Sequence, residues 1–116
     1  MIPNSIIYPI MSADLEWTDA AAFDELWDGA GIAVTVAGRE VALFRIGETV
    51  YATDSLCTHG HAQLCDGFVE GHEIECPLHQ GRFDLRSGAA TCAPAVDALK
   101  TYPVRIDEGR VWLSLG

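Results

Sequence analysis

Four side chains in this 116-residue sequence stand out as metal donors because they come in two mixed pairs. Cys57-Thr58-His59 and Cys76-Pro77-Leu78-His79 are separated by the sixteen residues from Gly60 to Glu75. Each pair supplies one soft thiolate and one imidazole. A 2Fe-2S centre with two thiolates on one iron and two imidazoles on the other needs that donor set, with each loop reaching both irons. A Cys and a His two or three positions apart on a tight turn span that gap. The charges suit electron transfer: two ferric ions, two sulfides and two thiolates sum to zero, and one-electron reduction adds a single negative charge. Imidazole is the weaker donor, so the histidine-bound iron is expected to take the electron, at a potential above that of all-cysteine clusters. The same four residues also suit a tetrahedral zinc ion. Zinc fingers, however, usually pair CxxC with HxxxH rather than using two mixed arms. A structural zinc module mediating protein contacts therefore stays as the alternative.

The remaining candidates read more plainly. Four cysteines would suit two disulfides in a secreted mini-protein, but nothing in the sequence signals secretion, and in a reducing compartment such residues bind metal or stay free. Cys65 and Cys92 fall outside the donor set; a redox-sensing or mutual disulfide role is weaker than the reading of small apolar fillers or inert thiols. His61 and His72 read as exposed or turn residues. Trp17, Trp27 and Trp112 read as core or edge packing rather than electron relays. Gly60 and Gly81 follow the two arms and would let backbone amides approach sulfur closely.

The elements that must position these donors are mostly strands. Residues 1–13 carry no clear period and read as a loosely packed leader, with a single domain over 14–116. Leu15-Glu16-Trp17 reads as a short strand, followed by one short helix capped by Thr18 or Asp19, with Phe23, Leu26 and Trp27 on one face and Gly29 as its stop. Ile32, Val34 and Val36, the Ala37-Gly38-Arg39 turn, and Val41, Leu43, Arg45 and Ile46 predict a hairpin, and TVYATD after Gly47-Glu48 a third strand. Beyond Cys57 the strands shorten to FVE, EIE and RFDL, set among glycine turns, which predicts a loop-rich lobe over about 55–94. The FVE and EIE hairpin would bring both arms to one end. LKTYPVRI and RVWLSL predict a closing hairpin that rejoins the first sheet. The fold class is all-β: an antiparallel sandwich or barrel with a small inserted cluster-binding lobe and one short helix.

Composition narrows the partners. Seventeen acidic against seven basic residues give a formal charge of -10, which repels phosphate backbones and anionic membranes and favours basic protein surfaces. Neither nucleic acid nor membrane is expected as a partner. No apolar run reaches the roughly 18 to 20 residues of a membrane span, so a cytoplasmic location is the expectation, and a carrier of this charge is expected to be monomeric.

The stretch CTHGHAQLCDGFVEGHEIECPLHQGRFDLRSG resembles the cluster region of the Rieske ferredoxins of bacterial multicomponent aromatic-ring dioxygenases, and KTYPVRI supports the likeness near the end. The resemblance covers the chain from about Asp14 to Leu115. It implies a Rieske fold and one 2Fe-2S cluster on Cys57, His59, Cys76 and His79. It further implies a non-catalytic carrier that takes single electrons from a flavin-containing, NADH-dependent reductase and gives them to a terminal oxygenase; a carrier serving another oxygenase or reductase is the nearest alternative. High-potential members in cytochrome bc-type complexes place an extra cysteine in each arm, forming a disulfide; here those inner positions hold Gly60-His61 and Leu78. They also follow the second arm with donors to sulfur, where this chain has Gln80-Gly81-Arg82-Phe83. Fewer donors imply a potential near the low end of the Rieske range, about -150 mV. Pro94, in CAPAVDA, resembles the proline of a third loop that covers the cluster.

Overall fold

The structure is a computed structural model that describes residues 16–58, 62–78, 80–93, 95 and 97–115. Eleven strands among the described residues form three antiparallel sheets. The first has the order β1-β11-β10, from Thr18–Ala22, Arg110–Leu113 and Val104–Asp107. The second has the order β2-β3-β4-β9, from Ala30–Val36, Arg39–Ile46, Thr49–Asp54 and Thr101–Tyr102. The third, in the lobe, has the order β5-β6-β7-β8, from Phe68–Glu70, Glu73–Glu75, Arg82–Asp84 and Ala90–Cys92.

The expected β2–β3–β4 meander is present in register. Ala37 and Gly38 both hold positive φ, 51° and 81°, which gives the two-residue turn the twist a tight hairpin needs. β3 is the wall between two cores. Val41 and Leu43 pack with Val50, Ala52, Val111 and Leu113 against the first sheet, while Ala42 and Phe44 pack toward the lobe against Leu64, Ile74, Phe83 and Leu85. A strand buried on both faces reads as a continuous apolar run, as Val41 to Phe44 does.

Three expectations are corrected. No helix starts at Thr18 or Asp19: Thr18–Ala22 is β1, paired with β11, and Phe23–Glu25 is a single 3-10 turn. The alanine-rich run favours a helix locally, but edge pairing with β11, tied by the Arg110 guanidinium on Asp19, overrides that preference. Leu26 is buried while the neighbouring Trp27 is 78% exposed, so the two share no face and Trp27 is not a packing residue. The expected Leu15–Trp17 strand is also absent where it can be followed, since Glu16 and Trp17 precede β1 and Leu15 lies outside the described residues.

The closing segment is divided. β9 adds to β4, and only after Pro103 does β10 pair with β11, so the closing hairpin joins β1 rather than the first meander. Proline lacks the N–H to continue a ladder, while its carbonyl accepts from the Ser114 N–H at 3.2 Å. β8 adds a fourth lobe strand that the sequence pattern did not suggest. The leader 1–13 and Pro94 lie outside the described residues.

Candidate metal centre

The two arms are built alike. The Cys57 N–H donates to the Ala62 carbonyl at 3.0 Å, and the Cys76 N–H donates to the Gly81 carbonyl at 2.7 Å, so each cysteine closes a loop on a carbonyl five residues ahead. Leu56 and Gln63 bridge the base of the first arm, and Glu75 and Arg82 pair at the base of the second. Both cysteines are buried, 4% and 0% exposed, in one apolar cluster with Ala62, Leu64, Ala95 and Leu99. The residues beyond them, Thr58 and Leu78, are exposed. Each arm thus carries a soft donor at a buried base and rises toward the surface. His59 and His79, with Gly60 and His61, lie outside the described residues.

The hairpin between the arms forms as the sequence implies. Phe68 pairs with Glu75, Val69 with Ile74 and Glu70 with Glu73. Gly67 starts this hairpin against the Glu75 carbonyl, where an added Cβ would sit 2.1 Å from the oxygen, so only glycine permits the approach that brings the arms together. At the second arm Gln80 takes φ 62°, a left-handed turn that is costly for a non-glycine residue and swings the chain back so that Gly81 meets Cys76.

Side chains add further ties. The Ser55 hydroxyl donates to Gln63 Oε1, and the Leu64 N–H donates to the Ser55 carbonyl at 2.9 Å. The Thr58 hydroxyl donates to the Asp97 carbonyl at 2.8 Å, fastening the first arm to the loop after β8. Arg82 binds Glu70, Glu73 and Glu75 at the mouth of the second arm. The Arg86 guanidinium and backbone amide on Asp84 hold its carboxyl below the usual range. Sequence reasoning did not single out Thr58 or Arg82. The usable signal was the hairpin register, which sets Glu73, Glu75 and Arg82 side by side.

The other candidates fall out as follows. Cys65 and Cys92 form no disulfide with each other. Cys65 is half-buried, and burial followed by the charge of Asp66 pushes its thiol up, away from the reactive thiolate. Cys92 is exposed on β8, not a filler. His72 is an exposed turn residue whose ring meets Tyr51 edge-on. Trp112 is half-buried on β11.

Two soft donors on arms of one construction, both sunk in one apolar pocket, fit a thiolate-held metal centre. The Rieske [2Fe-2S] domain model matches residues 16–103. This chain belongs to the Rieske family. The ferredoxin component of the naphthalene 1,2-dioxygenase system of Pseudomonas aeruginosa is 54% identical over 100 residues, covering 86% of this chain and 96% of that protein. The ferredoxin of carbazole 1,9a-dioxygenase from Nocardioides aromaticivorans IC177 superposes with a TM-score of 0.80 at 41% identity, covering 83% of this chain and 94% of that one. A carbazole 1,9a-dioxygenase ferredoxin solved as the oxidized partner of its reduced oxygenase gives a TM-score of 0.79 at 33% identity, covering 84% and 92%.

The Rieske assignment fixes the cofactor as one 2Fe-2S cluster and displaces the zinc alternative. Within the family the chain falls among the ferredoxin components of dioxygenase systems, which are electron carriers rather than enzymes. Among the described residues no helix is long and apolar enough to cross a membrane.

Proposed function

We propose that Cys57 and Cys76 bind one iron of the cluster and His59 and His79 the other, and that the chain carries single electrons from a flavin-containing, NADH-dependent reductase to the terminal oxygenase of an aromatic-ring hydroxylating system. The bound cluster supplies the chemistry, accepting one electron and releasing it. The observation that carries the reading is the pair of matched arms, each closed by its cysteine N–H and each leading from a buried sulfur to an exposed tip. The buried bases shield the sulfurs from water, while Thr58 and Leu78, one and two residues further out, are exposed where a docking partner can reach the arms. The lobe over about 55–94 presents the centre, and residues 14–116 act as one domain. The oxygenase complex of the carbazole relative supports the direction of transfer. The formal charge of -10 favours brief encounters with basic partner surfaces in the cytoplasm by a monomeric carrier.

Reconstitution tests the role. With NADH, a ring-hydroxylating oxygenase and a matched flavoprotein reductase, product formation should depend on this ferredoxin and disappear in its Cys57→Ser variant. Turnover of the oxygenase at the same rate without the ferredoxin counts against the role. For the ligand set, His79→Cys should keep an iron-sulfur centre but lower its potential and move its EPR signal toward the all-cysteine type. An unaltered signal in that variant removes His79 from the set.

A further inference from the structure

Arg82 is the one side chain that touches three carboxylates at once among the described contacts. Its Nη1 donates to Glu70 Oε1 at 2.6 Å and Glu73 Oε1 at 3.4 Å, and its Nη2 donates to Glu75 Oε1 at 2.8 Å. The sheet produces this convergence: Glu75 stands opposite Arg82 and Glu70 opposite Glu73, so all four side chains share one face of β5, β6 and β7. The carboxylates hold the guanidinium pKa far above its ordinary value, first through the hydrogen bond that Arg82 donates to Glu70 and then through the one it donates to Glu73.

The place of this group matters more than its number of contacts. Glu75 immediately precedes Cys76, and Arg82 immediately follows Gly81, whose carbonyl takes the Cys76 N–H at 2.7 Å. The ion pair therefore spans the mouth of the second arm. The other arginine of the lobe, Arg86, is already bound to Asp84. Removing the Arg82 charge leaves three carboxylates uncompensated beside the base of the arm that carries Cys76.

We propose that Arg82 is a positioning residue for electron transfer whose fixed positive charge at the mouth of the second arm raises the reduction potential of the centre. The inference rests on the ligand reading given above. Reduction adds one negative charge to the centre, so a nearby cation stabilises the reduced form and uncompensated carboxylates destabilise it. The Arg82 side chain is 29% exposed and that of Glu70 71%, so solvent and salt attenuate the effect without removing it. A purely mechanical clamp predicts something different. Lysine keeps the charge but cannot fork to three carboxylates, so a clamp fails equally in Arg82→Lys and Arg82→Gln, whereas a charge effect fails only in Arg82→Gln.

Voltammetry of the cluster-loaded protein separates the two, with the visible spectrum confirming cluster content in each variant. Arg82→Gln should lower the reduction equilibrium constant threefold or more, about 28 mV by the one-electron conversion of 59 mV per tenfold. Arg82→Lys should stay within twofold of the parent, and Glu70→Gln should shift the potential upward. All shifts should shrink in 1 M salt, where the Debye length is about 3 Å. An unmoved potential in Arg82→Gln, or an Arg82→Lys variant that falls as far, overturns the proposal. Should Arg82→Gln fail to hold the cluster, Glu70→Gln decides alone, and an unmoved potential there overturns the proposal equally. Failure of the ligand reading shows separately, as a Cys76→Ala protein that keeps the visible bands of the cluster.

Discussion

The first arm leaves β4 after Asp54 and the second leaves β6 after Glu75, and the two share a backbone closure but not their supports. The first is held by neutral hydroxyls: Ser55 on Gln63 at its base and Thr58 on the Asp97 carbonyl at its tip. The second is held by charge, with Arg82 on three carboxylates at its mouth, and by a left-handed Gln80 in its return. Neutral hydrogen bonds are nearly indifferent to ionic strength, while partly exposed ion pairs weaken in salt. One site thus combines a salt-insensitive arm with a salt-sensitive one. The charged arm is also the one able to adjust the field felt by an added electron.

The comparison is sharpest at its base. Cys57→Ala and Cys76→Ala should each abolish the visible absorbance of the cluster, because two thiolates are needed on one iron. Residual colour in one variant but not the other would show that the arms are unequal in binding. Behind the arms, Leu64→Ala should cost about 2–5 kcal/mol and Phe83→Ala about 3–5 kcal/mol, since both side chains are fully buried in the lobe core. Chemical denaturation checks this, and a loss below 1 kcal/mol for Phe83→Ala would mean the second arm does not lean on that core. Thr58→Val should cost about 1 kcal/mol, equally at low and high salt. A cost that falls with salt contradicts the neutral character of the first arm.

The smallest expected effect is that of pH on the Asp84–Arg86 pair. The carboxyl pKa is lowered in the folded state from its ordinary 3.8, first by the Arg86 side chain, so the pair stabilises the fold above that value. The contribution is lost as pH falls below 3.8 through the folded-state value. Asp84→Asn should therefore flatten the acid limb of the stability curve. An acid limb that keeps its slope in that variant excludes the pair as a contributor.

Several elements were legible because their determinants are close in sequence. The β2–β3–β4 meander and the FVE and EIE hairpin followed from alternation and turn residues, and both are present in register. The region from Thr18 to Trp27 was not legible. Its alanines and acids favour a helix, and only pairing with β11, 91 residues away for Asp19 and Arg110, makes Thr18–Ala22 a strand, with a single 3-10 turn after it. The division at Pro103 was partly written in the proline, but the transfer of Thr101–Tyr102 to β4 depends on where β4 lies.

By itself the sequence determined the donor types, their spacing and the hairpin that separates them, because each rests on residues within a few positions of one another. Tertiary structure alone decided that both cysteines sink into one apolar cluster, that Thr58 reaches a carbonyl 39 residues on, and that three glutamates from two strands meet on one arginine. Such contacts join segments distant along the chain, and their geometry is fixed only when β3 is packed on both faces and the lobe closes over it.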